Sequence, residues 1–296
     1  MPAVMHANPD VESFFHADTS TFSHVVHTGQ GSAAAIIDPV LDYDGAAARV
    51  GTGPADAVLE FVRAQQLQVQ WILETHAHAD HLSAGAYLHD ALAAPLAIGQ
   101  GIVQVQAYFK SLFGLGDEFQ ADGRQFDRLL QDGDTIAIGG LAMRVLATPG
   151  HTSDSLTFVV GDAAFIGDTM FSPAGGTART DFPGGDAVQL YRSIRRILGL
   201  PPDTRLFLCH DYARDGHAPA RQTSVSAQAQ ANIHVAVNVS EEAFVAVRQA
   251  RDRSLPPPRL ILPALQVNIR GGRLPAPDVD GVSYLRLPVN RLPVPG

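Results

Sequence analysis

A dense cluster of metal-ligand side chains, His76-Ala77-His78-Ala79-Asp80-His81, directly follows an apolar run that ends at Leu73. Imidazoles and a carboxylate packed this closely beside a buried strand need partners, because burial of an unsatisfied polar group is costly. One bound metal ion would satisfy all of these side chains together. The cluster therefore restricts the chain to folds in which this strand ends at a metal site.

Three further ligand-type residues occur later, each after a strand-like apolar run: His151, Asp168 and His210. A single histidine is usually an ordinary core or surface residue, so the ordered series rather than any one member carries the prediction. The remaining histidines show no such pattern, and we assign them no metal role: His6, His16, His24, His27, His89, His217 and His234.

Composition indicates an enzyme-like globular protein with one large domain. The chain has 296 residues, of which 46% are hydrophobic and 17% charged, with a net charge of −9. This acidic balance argues against nucleic acid or an anionic membrane surface as a partner. Residues 1–15 lack the pattern of a signal peptide or membrane anchor, so we expect a cytoplasmic protein.

The single cysteine, Cys209, excludes an internal disulfide and fits a reducing compartment. It follows the apolar run Leu206-Phe207-Leu208. We therefore expect a buried thiol at the end of a strand rather than a nucleophile, because a reactive cysteine needs an accessible, electropositive setting.

Hydrophobic periodicity predicts alternating strands and helices. Segments 22–26 and 33–37 read as a hairpin, and Pro54 opens a helix that leads to the strand before the histidine cluster. The further expected elements are a helix through Tyr87 and Leu92, strands at 142–147, 156–160 and 163–166, and a helix over 188–198. The ligand cluster should then lie at the carboxyl end of a β-α-β strand.

The C-terminal part differs in composition, since nine of the twenty prolines fall within residues 251–296. Proline at this density excludes long helices, whereas the interspersed apolar residues argue against disorder. Before this segment, Ser240 should begin a helix in which Phe244 and Val247 pack inward. We expect a main domain at 1–238, with a C-terminal helix and proline-rich tail at 239–296 packed on it.

Two ligand sets can be drawn from these residues, and spacing alone does not choose between them. His76, His151 and Asp168 form a set of two histidines and one carboxylate, which suits one iron(II) ion with open coordination positions. The full set suits two zinc ions, as in a thioester hydrolase. In that case one ion has His76, His78 and His151, the other has Asp80, His81 and His210, and Asp168 bridges them.

The ordered ligand series resembles that of the metallo-β-lactamase superfamily, which implies an α/β fold, an αββα sandwich of two mixed β-sheets flanked by helices. Three segments resemble the persulfide dioxygenases more closely, in particular a bacterial branch described as β-lactamase-like hydrolases. These segments are Gly-Gly-Thr-Ala-Arg-Thr-Asp-Phe-Pro-Gly-Gly-Asp at 175–186, His-Asp-Tyr at 210–212 and Leu-Pro-Ala-Leu-Gln-Val-Asn-Ile-Arg at 262–270.

The closer resemblance implies oxidation of glutathione persulfide with O2 to sulfite and glutathione at one Fe(II) per chain, held by His76, His151 and Asp168. His78, Asp80, His81 and His210 would then orient these ligands or form a second metal site. Arg179, Tyr212 and Arg270 would contact the substrate. A homodimer and a separate rhodanese-type sulfurtransferase partner are expected on the same basis.

The alternative is a binuclear zinc thioester hydrolase of the hydroxyacylglutathione type, with two Zn(II) per chain. A third hypothesis, a catalytically idle metal-binding or redox-sensing module, is disfavoured because a ligand-type residue is present at every position.

Overall fold

A computed structural model describes residues 8–212 and 218–292, so His6 and His217 lie outside the described residues. The strands, in chain order, are β1 (Asp10–His16), β2 (Thr21–His27), β3 (Ala33–Ile37), β4 (Val40–Asp44), β5 (Arg49–Gly51), β6 (Gln68–Leu73), β7 (Leu82–Ser83), β8 (Leu96–Gly99), β9 (Arg128–Leu130), β10 (Thr135–Ile138), β11 (Leu141–Ala147), β12 (Leu156–Val160), β13 (Ala163–Phe165), β14 (Arg205–Phe207) and β15 (Gln222–Ser224).

The helices are α1 (Gly53–Ala64), α2 (Gly85–Leu92), α3 (Ile102–Leu112), α4 (Ala187–Leu198), α5 (Val225–Ala231), α6 (Glu241–Asp252) and α7 (Ile261–Asn268). No helix within the described ranges is both long enough and apolar enough to cross a membrane.

The strands form two six-stranded mixed sheets and a small three-stranded one. The first sheet has the order β1-β2-β3-β6-β8-β9, and β3, β6, β8 and β9 run parallel because α1, α2 and α3 connect them. The second has the order β10-β11-β12-β13-β14-β15, with β13 and β14 parallel across α4. The predicted hairpin is confirmed as antiparallel β2 and β3.

The sequence of strand β3 is apolar at every position because both faces of the strand are covered. Successive side chains of a strand point to opposite faces of the sheet. Ala34 and Ile36 accordingly pack with the helices of the outer layer, whereas Ala35 and Ile37 pack into the core between the two sheets. A strand covered on both faces reads as a continuous hydrophobic run.

Helices cover the outer face of each sheet. The first sheet packs against α1, α2, α3 and α7, and the second against α4, α5 and α6. The predicted αββα sandwich of two mixed sheets is therefore confirmed. Parallel strands that end at the same edge bring their following loops together, which places the metal-ligand segments in one region.

Helix α4 confirms the segment predicted at 188–198. Its N-cap is Asp186, whose side chain accepts a hydrogen bond from the Gln189 backbone N–H. Leu190, Ile194 and Ile197 form its fully buried stripe. Burial of each such side chain contributes roughly 1.5–3 kcal/mol, so this stripe fixes the helix on the second sheet.

Helix α6 begins after Ser240, as predicted, and Phe244 is buried. The inward orientation predicted for Val247 is wrong, because its side chain is 52% exposed. Arg248 and Asp252 follow Phe244 at intervals of one helical turn and occupy the inward face instead, as a buried ion pair. An inward-facing arginine cannot be recognised from hydrophobic periodicity.

Helix α7 lies in the proline-rich tail and has only eight residues. Pro263 is tolerated in it because the first-turn N–H groups of a helix have no intrahelical partner. Ile261, Leu265 and Val267 join the core beside the first sheet. This contact brings α7 next to β7 and the histidine cluster.

Candidate metal centre

The predicted ligands lie on four loops at the carboxyl ends of strands. The 76–81 cluster follows β6, His151 follows β11, Asp168 lies in a 3-10 turn after β13, and His210 follows β14. All except Asp80 are buried. The fold therefore brings together residues that are up to 134 positions apart in the chain (210 − 76 = 134).

His76, His151 and Asp168 form one compact group. The Nε2 atoms of His76 and His151 each lie 3.7 Å from Asp168 Oδ2. The ring centroids of the two histidines are 5.1 Å apart at an interplanar angle of 85°. One ligand atom from each of the three residues falls within 4.8 Å of the others, so a single ion can contact all three.

A second group shares Asp168. His210 Nε2 lies 3.4 Å from Asp168 Oδ1 and 3.3 Å from Asp80 Oδ2. His78, Asp80, Asp168 and His210 form a set within 4.8 Å, and His78, His81 and His210 form another together with Cys209. All seven predicted metal-site residues are thus collected at one place, in two adjoining groups.

Several donor atoms of this cluster form no hydrogen bond with the described part of the protein. Buried atoms without a hydrogen bond include Nε2 of His76, His81 and His210, Nδ1 of His78, and oxygens of Asp80 and Asp168. Buried polar groups are normally hydrogen-bonded, so such a concentration needs an explanation. Imidazole nitrogens and carboxylate oxygens turned toward one point fit a bound metal ion. The cluster is a metal-binding site.

The other ring nitrogen of several histidines is held by the protein. His151 Nδ1 donates to the Arg179 carbonyl at 2.8 Å. His76 Nδ1 is 3.1 Å from Thr75 Oγ1, and His210 Nδ1 is 3.2 Å from Thr21 Oγ1. Such contacts fix the ring orientation and the tautomer, and leave Nε2 as the free donor.

Burial also sets the charge of the histidines. Desolvation, followed by the charges of neighbouring histidines, lowers the pKa of His76 and His81 well below the usual value. Both rings are therefore neutral and have a lone pair for a metal. Burial opposes charge on His78 too, but the Asp38 carboxylate outweighs it and raises the pKa of His78 to about 10.

Asp38 is a site residue that sequence reasoning missed. Its carboxylate accepts hydrogen bonds from the Thr75 backbone N–H at 2.7 Å and the Thr75 hydroxyl at 2.9 Å. Its Oδ1 also lies 3.1 Å from His78 Nε2. Asp38 has a φ of 50°, which is uncommon for a residue other than glycine and occurs where surrounding contacts hold the backbone. The only sequence signal was an acidic residue at the end of β3.

Asn268 at the end of α7 is a second missed residue. Its amide donates to the carbonyl oxygens of His78 and His81, each at 2.8 Å. Its Oδ1 accepts from the Ser83 backbone N–H at 2.8 Å, and the side chain is buried. Asn268 therefore fixes the backbone of the histidine cluster from the C-terminal tail. It lies within the 262–270 segment, but no spacing rule connects it to residues 78–83.

A cavity of about 900 Å³ opens beside the metal centre. His151, Asp168 and Asp80 are among the residues that line it, together with Tyr212 and Arg179. Tyr212 stacks on His210 with ring centroids 5.7 Å apart. Partial burial, followed by the charges of Asp80 and Asp168, raises the pKa of Tyr212, so its phenol remains a hydrogen-bond donor.

The Arg179 side chain lies in the cavity wall, but protein groups occupy its guanidinium. It forms two hydrogen bonds to Asp181, at 2.6 and 2.7 Å, and one to the Pro256 carbonyl at 2.7 Å. The guanidinium carbon also lies 5.0 Å from the centroid of the Phe182 ring. Arg179 therefore has a structural role. The direct substrate contact that the sequence predicts for it stays a prediction.

Arg270 is not among the described residues that line this cavity. Its guanidinium donates to the Gln266 carbonyl and lies over the Phe119 ring, 4.7 Å from the centroid. The arginine follows α7, and the packing of that helix directs it toward the 118–119 segment. The structure therefore does not bring Arg270 to the metal centre with the other predicted residues.

Helix α6 supports the loop that orients His151. Asp252 Oδ2 accepts from both the backbone N–H and the hydroxyl of Thr180, each at 2.9 Å, while Arg248 donates to the Thr177 carbonyl at 3.0 Å. Arg179, whose carbonyl receives the His151 N–H, lies between these two threonines. The buried ion pair of α6 is thus coupled to a ligand ring by backbone contacts.

The prediction for Cys209 is confirmed: the thiol is buried just after β14. Burial, followed by the charges of nearby carboxylates, raises its pKa well above the usual value. A protonated, inaccessible thiol is a poor nucleophile.

Comparison with known proteins places these motifs in a family. The sequence model of the metallo-beta-lactamase superfamily matches residues 17–210. A probable metallo-hydrolase of Burkholderia pseudomallei (strain 1710b) is 48% identical over 292 residues, which cover 95% of this chain and 99% of that protein. A beta-lactamase hydrolase-like protein of Agrobacterium fabrum (strain C58) is 49% identical over 286 residues, which cover 97% of this chain but 66% of that longer protein.

Two further relatives have more specific names. The human mitochondrial persulfide dioxygenase ETHE1 is 29% identical over 265 residues, which cover 88% of each chain. Among solved structures, ETHE1 from Myxococcus xanthus has a TM-score of 0.71 and 29% identity, covering 89% of this chain and 100% of that one.

Proposed function

Because this chain belongs to the metallo-β-lactamase superfamily, we propose that it uses its metal centre as an iron(II)-dependent persulfide dioxygenase. The observation that carries the proposal is the compact group of His76, His151 and Asp168, two histidines and one carboxylate with buried, convergent donor atoms. Likeness to the persulfide dioxygenase ETHE1 extends over 88% of the chain, beyond the ligand motifs alone.

Iron(II) held by this group would keep open coordination positions for a persulfide sulfur and for O2. The balanced reaction takes glutathione persulfide, O2 and water to glutathione, sulfite and two protons. The remaining work falls to protein groups. The Arg179 carbonyl holds the His151 ring, Asp38 and Asn268 hold the 75–83 backbone, and the Tyr212 phenol offers a hydrogen-bond donor on the cavity lining.

Apolar side chains in the cavity wall favour this chemistry over a fully hydrated site. Phe171, Phe182, Ala178 and Leu255 line it together with polar groups near the metal centre. The Phe182 ring contacts His151 edge-on, with centroids 5.2 Å apart. Apolar side chains of this kind are suited to contact with apolar O2 and a sulfur chain.

A specific observation favours one alternative, a binuclear zinc thioester hydrolase. His78, Asp80, Asp168 and His210 form a second donor set with unpaired atoms, and Asp168 can bridge two ions. The Burkholderia relative is named a probable metallo-hydrolase. A bridging water between two zinc ions is a recognised nucleophile for carbonyl substrates.

Substrate loss with and without oxygen separates the two functions. We expect the iron-loaded protein to consume glutathione persulfide only when O2 is present, and to leave an acylglutathione thioester intact. Thioester hydrolysis by the zinc-loaded protein, with no persulfide loss in air by the iron form, would support the hydrolase instead. The homodimer, the cytoplasmic location and the separate sulfurtransferase partner stay predictions.

A further inference from the structure

Four arginines line the cavity beside the metal centre: Arg179, Arg248, Arg251 and Arg259. Two of them are engaged by the protein. Arg248 is buried and paired with Asp252 at 2.5 Å, and Arg179 is held by Asp181 and the backbone of 255–256. Neither guanidinium is available to form a full bidentate contact with a ligand.

The other two arginines are different. Arg251 lies in the last turn of α6 and Arg259 directly follows Pro256-Pro257-Pro258; both side chains are exposed. Within residues 8–212 and 218–292, no carboxylate forms a salt bridge with either, and neither guanidinium has a hydrogen-bond partner. Exposed arginines without an acidic partner, on the lining of a cavity in a chain of net charge −9, can attract an anionic ligand.

We propose that Arg251 and Arg259, which line the same cavity as the residues of the metal centre, form the binding site for the carboxylates of the substrate. This inference rests on the proposed function, because a glutathione persulfide has a reactive sulfur at one end and two carboxylates on its peptide arms. A planar guanidinium binds a carboxylate with two parallel hydrogen bonds. His151 and this arginine pair line one continuous cavity.

Arg179 then has a positioning role. Its hydrogen bonds to the carbonyls of Pro256 and Leu255 hold the segment that connects Arg251 to Arg259. Three consecutive prolines restrict the same segment, since each fixes its own φ. The two free guanidinium groups are therefore presented from a braced backbone, which lowers the entropy cost of binding.

The helix dipole attracts cations to any helix C-terminus, which is a competing explanation for the presence of Arg251 at the end of α6. Arg253 supplies a matched control, because it is the C-cap residue of α6, is exposed and does not line the metal-centre cavity. It lines a separate pocket with Asp181 and Asp252. A dipole effect would act on both arginines, whereas substrate binding would act on Arg251 alone.

The test is calorimetric binding of S-methylglutathione, a thioether that carries the peptide arms without a persulfide, and of its diethyl ester, to the metal-loaded protein. We expect R251Q and R259Q each to weaken binding of the free acid roughly 3- to 10-fold, with little effect on the ester. The double variant should bind the two ligands alike. R253Q should match the unsubstituted protein with both ligands.

The inference would be overturned if acid and ester binding were weakened equally, or if neither substitution had an effect. It would also be overturned if R253Q had an effect as large as that of R251Q, or if the unsubstituted protein did not bind. Persulfide kinetics on the same variants then address the function separately. A raised KM with unchanged kcat supports both. Binding that depends on Arg251 and Arg259 without any persulfide oxidation would leave the carboxylate site standing and refute the dioxygenase.

Discussion

Each histidine of the metal centre offers two ring nitrogens, and the protein decides which one remains free. Nδ1 of His76, His151 and His210 faces a threonine hydroxyl or a backbone carbonyl, so Nε2 points to the cluster. The ligand residues could be predicted from the sequence because their chemistry and spacing are distinctive. The role of Asp38 as a support could not be predicted, because its partners are 37 to 40 residues away and include a backbone N–H (75 − 38 = 37; 78 − 38 = 40).

The metal content of variants distinguishes a mononuclear from a binuclear centre. Asp168→Ala should abolish iron binding, because two neutral imidazoles remain without the anionic ligand. His210→Ala should retain one iron per chain, since His210 lies outside the His76, His151 and Asp168 group. Elemental analysis of the purified proteins gives the count, and circular dichroism checks folding. Two ions in the unsubstituted protein, with one lost in His210→Ala, would contradict the mononuclear centre.

His24 predicts a pH dependence of stability that is separate from the metal site. Burial lowers the pKa of His24 from 6.5 to about 4, partly offset by a hydrogen bond to the Leu208 carbonyl. The unfolded chain therefore binds the extra proton between these values, and the free energy of unfolding should fall as pH drops from 6.5 to 4. The loss attributable to His24 is about 3 kcal/mol.

Urea unfolding at pH 4.5 and pH 7 measures this effect, with His24→Gln as the reference because its side chain does not titrate. We expect a smaller pH dependence in the variant. Identical pH dependence in the two proteins would show that His24 charges freely in the folded state.

Elements differ in how far their sequences reveal them. Strand β6 and helix α4 have strong patterns of their own: β6 ends at Leu73, where the apolar run ends, and α4 begins one residue before the predicted segment 188–198. Helix α7 was not predicted, because its proline and mostly apolar composition give no amphipathic stripe. Its placement depends on packing against β7, which no local pattern encodes. The contact of Asn268 with the histidine cluster was invisible for the same reason.

The substitution Asn268→Ala tests whether the C-terminal tail affects metal binding. The substitution removes three buried hydrogen bonds to the 78–83 backbone, so we expect a loss of about 2–4 kcal/mol in the free energy of unfolding. Metal affinity should fall about 10-fold or more, as for other residues that orient ligands. Metal competition with a chelator, alongside urea unfolding, measures both quantities.

Gln266→Ala is the matched control for this effect. Gln266 is also buried on α7, but its side-chain amide forms hydrogen bonds with the backbone of Leu262 and Arg286 and not with the histidine cluster. It should lose comparable stability and keep its metal affinity. Equal losses of affinity in the two variants would reduce the role of Asn268 to general stability.

For the whole molecule, contacts from beyond residue 210 complete a centre whose ligands all lie within the superfamily match at 17–210. Helix α6 holds the loop of Arg179 and supplies Arg251 to the cavity, the segment between α6 and α7 supplies Arg259, and α7 holds the histidine cluster. The sequence pointed to Arg179 and Arg270 as substrate contacts. Which arginine is free depends on its neighbours in space, and that information is absent from a motif.

Oxygen uptake by the iron-loaded protein on addition of glutathione persulfide tests the central claim most directly. The account predicts one O2 consumed for each persulfide, with an equal amount of sulfite formed, and no uptake by Asp168→Ala. Sulfite-free turnover, or no oxygen uptake by a protein shown to contain one iron per chain, would contradict it and favour the zinc hydrolase.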